Sequence, residues 1–187
     1  TLTYQLTDEN ELKIHYEAIC DKTTVIGLTN HSYFNLKGAG EGLIHDHFLQ
    51  LNADFHTALD EFTCPTGEIL KVDNSPYDFR HPVLLGERIN DPVYASNRGL
   101  DDNWVIRKNQ PGELALAGYI YEPESGRKME VITTQPGVQV YTANWVDKQT
   151  AKYGKEYNAQ GAICLETQGF PASPNFSHFP STVLRAG

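Results

Sequence analysis

The chain has 187 residues, about one domain's worth, with 24 acidic against 15 basic residues and a formal charge of -9. That balance argues against a nucleic-acid groove or an anionic membrane surface, both of which need clustered Lys and Arg, and no apolar run approaches the roughly 20 residues of a membrane span. Cys20, Cys64 and Cys164 form no CxxC pair, so a disulfide framework or zinc finger is not expected, and a reducing, cytoplasmic setting is the simplest reading; the polar opening Thr1 to Gln5 does not read as a signal peptide.

Taken in chain order, the dominant apolar period is two. Leu2, Tyr4 and Leu6 alternate with Thr3, Gln5 and Thr7, and after Asp8-Glu9-Asn10 the run Leu12, Ile14, Tyr16 and Ala18 alternates again, which predicts a hairpin. His45-Asp46-His47 offers two imidazoles, but only His56 is near enough in sequence to add a ligand, so these read as solvated loop or strand-end histidines rather than a metal site. Leu114 to Tyr121, Met129 to Thr133, Val138 to Thr142 and Ala162 to Thr167 read as further strands. In the last of these, Ile163 and Leu165 face one way and Cys164 and Glu166 the other. Between them lie turn signals at Pro65-Thr66-Gly67, Asn74-Ser75-Pro76, Pro111-Gly112, Pro123 to Gly126 and Pro136-Gly137. No helical period is sustained; residues 147 to 153 offer one helical turn at most. The fold class is all-β, an antiparallel β-sandwich over residues 1–187, because alternating strands need a second layer to cover their apolar faces.

Three polar clusters carry chemistry. Thr29 to Leu36 sets His31 among amides, a hydroxyl and aromatic rings, and Gly99 to Trp104 runs Asp101, Asp102 and Asn103 into an apolar strand. Cys164 to Pro171 places Glu166 inside a strand with apolar neighbours, and glutamate is both depleted in strands and costly to bury unpaired. With Gln139, Asn30, Tyr33, Trp104 and Trp145 as binding groups, the set suits a neutral, hydroxyl-rich ligand: carboxylates and amides bind hydroxyls, and aromatic faces cover a sugar ring. The residues alone lead to a sugar-directed β protein with acid–base chemistry, and no further.

The same clusters resemble the motifs of the aldose 1-epimerases. Leu28 to Leu36 is similar to the family's central motif. Pro65 to Ile69, Pro136 to Thr142, and Leu165 to Gln168 with Phe170-Pro171 and Ser173-Pro174-Asn175 follow in the family's order. The resemblance implies a many-stranded antiparallel sandwich with an open sugar cleft. It implies Glu166 as general base and His31 as general acid, with Asp101, Gln139 and Asn30 binding the substrate, and neither metal nor cofactor. Asp101 beside His31 would favour the charged imidazole. The family's Gly-x-Asp-His becomes Gly99-Leu100-Asp101-Asp102, so Asp102 stands in place of a histidine.

The implied activity is interconversion of the α and β anomers of hexoses such as galactose and glucose. A non-catalytic carbohydrate-binding protein of the same fold is the alternative, and a glycosidase using Asp101 and Glu166 is a remoter one. The motifs begin where the family's second half begins, so an arginine and a further histidine of the sugar site are expected to lie outside this chain. That leads to a partly stripped sandwich prone to self-association or to binding a missing N-terminal half. Its site would lack a basic side chain unless Arg80, Arg98 or Lys37 supplies one.

Overall fold

Strands that alternate apolar and polar side chains can bury only one face each, and the computed structural model of residues 1–187 pairs nine of them into two larger antiparallel sheets around one core and the other six into three two-stranded pairs. The chain opens with the hairpin of β1 (Leu2–Leu6) and β2 (Leu12–Tyr16), in register from Leu2 opposite Tyr16 to Leu6 opposite Leu12. Next come β3 (Thr24–Val25), β4 (Phe48–Leu51), β5 (Phe55–Leu59), β6 (Pro65–Lys71), β7 (Val83–Leu84) and the single helical turn α1 (Leu85–Arg88). The second half adds β8 (Asp101–Val105), β9 (Ala115–Glu122), β10 (Arg127–Thr133) and β11 (Gly137–Tyr141). It closes with β12 (Gln149–Thr150), β13 (Glu156–Tyr157), β14 (Cys164–Gln168) and β15 (Val183–Leu184).

One sheet has the order β10-β9-β4-β7 and the other β14-β11-β8-β5-β6. Their facing sides make the core. Leu49, Leu51, Ala117 and Ile120 come from the first sheet, and Trp104, Val138, Val140, Ile163 and Leu165 from the second and its approach. Phe79, Leu85, Ile89, Tyr94 and Leu100, from the connections, close the layer between them. The hairpin β1–β2 lies outside this core, with Leu2, Tyr4, Leu6 and Leu12 each at least half exposed.

Several readings from sequence need correction. Pro65 starts β6 instead of a turn; at the first position of a strand its missing N–H removes no ladder bond. Asp101 and Asp102 are themselves strand residues of β8. Trp104 is wholly buried in the core, its indole N–H donating to the Tyr77 carbonyl at 2.9 Å, so it offers no face to a ligand. His45 lies in the 3-10 turn Ile44–Asp46 and is only partly exposed, its Nε2 meeting Gln160 Oε1 at 2.6 Å. His47 is buried, not solvated, and its Nε2 accepts the Leu36 N–H at 3.0 Å.

Strand alternation also puts a carboxylate on the core side. Asp102 pairs with Val140 across β8 and β11, is 4% exposed, and accepts one hydrogen bond, from the Asp101 N–H at 3.2 Å. Burial pushes its carboxyl up to about 6, with the Asp101 charge adding to the effect. A carboxyl whose folded value is raised favours folding at low pH, and that contribution is lost as pH rises through about 6. Asp102→Asn is therefore expected to be more stable than the parent above that pH, by on the order of 2 kcal/mol, and to converge with it below pH 4 or so. Urea melts at both ends of this range check it; equal stability at neutral pH would mean that Asp102 is neutralised by a partner.

Candidate active site

Because the period of a strand is two, the residues that alternate with the core residues of β8, β11 and β14 all reach the opposite face. Gln139 stands between Glu166 on β14 and Asn103 on β8, and Tyr141 stands between Cys164 and Asp101. Val138, Val140 and Leu165 point the other way into the core. The outer face of the sheet is therefore a polar surface of carboxylates, amides and a phenol, carried on a rigid apolar backing.

His31 reaches this face from a connection. Phe34 and Ile163 exchange two backbone hydrogen bonds of 2.8 Å, which pins residues 29 to 36 beside the start of β14. Asn35 Nδ2 donates to the carbonyls of Gly42 and Gly161 at 3.1 and 3.0 Å. Asn30 Oδ1 accepts the Ser32 N–H at 3.2 Å, an Asx turn that folds the backbone around His31. The imidazole stacks on Tyr33 with centroids 5.1 Å apart and meets the Tyr141 ring edge-on at 5.9 Å. Its Nε2 lies 3.3 Å from Glu166 Oε1.

Glu166 is 7% exposed, whereas the His31 side chain is 47% exposed. Burial drives the Glu166 carboxyl above the usual carboxylate range. The His31 charge opposes that shift and the Asp101 charge adds to it. Asp101 Oδ1 accepts a 2.9 Å hydrogen bond from Gln139 Nε2. The approach to Asp101 is locked from behind: Thr142 Oγ1 accepts the Leu100 N–H at 3.0 Å, and Asn144 Nδ2 donates to the Leu100 carbonyl at 2.9 Å.

His31, Asp101, Gln139 and Glu166 line one open cavity of about 440 Å³, together with Tyr33, Tyr141, Trp145, Gln168 and Pro171. Asn30 is not in that lining; its side chain bends the loop, and its Nδ2 donates to Tyr4 Oη at 2.8 Å. Tyr141, Gln168 and Pro171 were not singled out as binding groups from sequence, although the strand period that marks Gln139 and Glu166 also marks Tyr141 and Gln168. No Lys or Arg lines the cavity. Arg80 is held by Asp73 and Asp78, Lys37 by Asp46, and Arg98 lies over the Trp145 ring, 4.3 Å from its centroid.

The sequence model for aldose 1-epimerases matches residues 1–187. The chain belongs to the aldose 1-epimerase family. It is 40% identical to galactose mutarotase of Sus scrofa over 187 residues, all of this chain and 53% of that protein. Against the aldose 1-epimerase of Haemophilus influenzae the figures are 34% over 176 residues, 94% of this chain and 51% of that one. A solved structure of a GalM/aldose epimerase homologue from C. elegans superposes with a TM-score of 0.87 at 33% identity, covering all of this chain and 55% of the other. Galactose 1-epimerase from Lactobacillus acidophilus gives 0.80 at 26% identity, over 99% of this chain and 52% of the other. The chain thus spans about half the length of the relatives it matches.

The lock behind Asp101 depends on one glycine. Gly99 has φ +145°, and a Cβ there would lie 2.3 Å from Asn144 Oδ1 and 2.7 Å from Thr142 Oγ1. Strain of that kind costs on the order of 1–3 kcal/mol. Gly99→Ala should lower the thermal midpoint by about 5 °C or more, as a scanning melt would show, and an unshifted midpoint would mean that the Thr142–Asn144 pair is free to move aside.

Proposed function

We propose that this site interconverts the α and β anomers of aldohexoses such as galactose and glucose, with Glu166 as general base and His31 as general acid. The observation that carries the reading is the 3.3 Å separation of His31 Nε2 from Glu166 Oε1. Ring opening removes a proton from the C1 hydroxyl and delivers one to the ring oxygen, and both oxygens are bonded to the same carbon. Acid and base must therefore stand side by side on one edge of the sugar.

Glu166 takes the C1 hydroxyl proton while His31 gives its proton to the ring oxygen, and the C1–ring oxygen bond breaks to leave the open-chain aldehyde. Rotation about C1–C2 presents the other carbonyl face. The two transfers then run in reverse and close the opposite anomer. Asp101 and Gln139 hold sugar hydroxyls as a hydrogen-bonded pair, and Gln139 Oε1, buried without a donor, is an acceptor that a ligand hydroxyl would satisfy. Tyr33 and Trp145, each about half exposed at the cavity, offer aromatic faces to the C–H side of the ring. Asn30 acts through the turn that presents His31. The activity of the whole protein, including the share of the site contributed by any further polypeptide, is part of the proposal.

Polarimetry on freshly dissolved α-galactose or α-glucose tests it, with sugar binding followed in parallel. Glu166→Gln and His31→Asn should each bring the catalysed rate down on the order of a hundredfold. A near-normal rate in Glu166→Gln would remove the base from this residue. Binding without any catalysed rate in the parent would replace the reading by a carbohydrate-binding protein.

The pH profile follows from burial. Glu166 works only when ionised, and its raised value means that the acid limb lies above the usual carboxylate range. Exposing Glu166 to solvent, for example through Tyr33→Ala, is expected to move that limb to lower pH. A limb that stays in the ordinary carboxylate range in the parent would contradict the assignment.

A further inference from the structure

Beneath the acid–base pair lies a third donor that the proposed reaction does not use. Cys164 sits on the same face of β14 as Glu166, two residues away, and is fully buried. Cys20 and Cys64 each donate to a backbone carbonyl, whereas the Cys164 thiol has no hydrogen-bond partner. A ring nitrogen of His31, Cys164 Sγ and a Glu166 carboxylate oxygen all lie within 4.8 Å of one another.

We propose that His31, Cys164 and Glu166 form a binding site for one thiophilic divalent cation of the zinc class, and that its occupancy blocks the site for sugar. Imidazole, thiolate and carboxylate are the donor types that zinc takes, and three protein ligands with an open fourth position make a complete tetrahedral set. With metal–ligand bonds of about 2.0–2.3 Å, the donors of such a site stand roughly 3.5 Å apart. Closing to that separation needs a shift of about an ångström, which half-exposed His31 on its connecting loop can make. Two anionic ligands neutralise the cation, and Asp101 adds negative charge near both; burial, with the Glu166 and Asp101 charges, pushes the Cys164 thiol well up, so the cation has to displace its proton. Of the three, His31 and Glu166 line the cavity and Cys164 lies behind it, so the fourth position would be reached from the cavity and take water. As the sulfur–metal bond forms, the thiol proton passes to solvent and no electron is transferred.

Metal binding stands apart from the proposed reaction; the block rests on it, because the cation would occupy the lone pairs through which Glu166 and His31 move protons. The geometry also explains why the cation acts as an inhibitor and not as a catalyst: it ties up both groups of the acid–base pair.

Cobalt(II) is the probe, since a thiolate ligand gives it a near-ultraviolet charge-transfer band that an oxygen–nitrogen site lacks. The chain should take up one equivalent of cobalt with that band, and zinc should displace it. Cys164→Ser should abolish the band, and the double replacement of Cys20 and Cys64 by Ser should retain it. His31→Asn, at a half-exposed position, should weaken zinc binding at least tenfold by calorimetry even if the buried Cys164 variant fails to fold. In any form with measurable mutarotation, saturating zinc should reduce the rate at least tenfold and a chelator should restore it. Absence of the band in the parent, a band lost with Cys20 and Cys64, or unchanged zinc affinity in His31→Asn would overturn the site. A full rate at saturating zinc, with the cobalt band present, would overturn the block alone.

Discussion

A carboxylate almost withdrawn from water is the constraint around which this side of the molecule is arranged. Glu166 sits on β14, the edge strand of the five-stranded sheet, where Leu165 and the preceding Ile163 pack into the core. An ionised carboxylate in such a place is unfavourable by several kcal/mol unless a partner stands close. The partner is His31, and it does not come from the sheet. The two hydrogen bonds between Phe34 and Ile163, the Asx turn at Asn30 and the Tyr33 and Tyr141 rings together hold the imidazole over the carboxylate. The same desolvation that makes Glu166 expensive makes it a stronger base than an exposed carboxylate, because burial raises its proton affinity.

The division of labour between the two faces of one sheet follows from the pleat. Val138, Val140 and Leu165 weld the five-stranded sheet to the other, while Gln139, Tyr141 and Glu166, one residue out of phase, remain free for polar work. A one-residue slip of β11 between its neighbours would turn Gln139 and Tyr141 inward and Val138 and Val140 outward, and would take Gln139 out of line with Glu166 and Asn103. Register is thus protected by the core, and the site inherits its geometry from that protection.

How much of this the sequence shows depends on how regular each segment is. The β1–β2 hairpin, β11 and β14 were legible from alternation and β9 and β10 from apolar runs bounded by turn signals, and the opposite facing of Leu165 and Glu166 followed from the period of two. Phe48–Leu51 and Phe55–Leu59 were not recognised, since each is short and the second carries a buried His56 and Thr57 where alternation would place apolar side chains. Trp104 and His47 were misjudged for a different reason: their burial is decided by Tyr77 and Leu36, partners from other parts of the chain. The pairing of His31 with Glu166 across 135 positions is invisible to local pattern, and it entered the sequence reading through family resemblance. Asn30 shows the limit of that route, since its side chain shapes the loop and stands outside the cavity lining.

Glu166 is a desolvated carboxylate whose charge is held by His31. Carbon-detected NMR of the Glu166 side-chain carboxyl, titrated in the parent and in His31→Asn, measures it directly. The midpoint should lie above the usual carboxylate range in the parent and higher still in the variant, because the opposing imidazolium charge has gone. An ordinary carboxylate midpoint in the parent, unchanged on replacing His31, would contradict it.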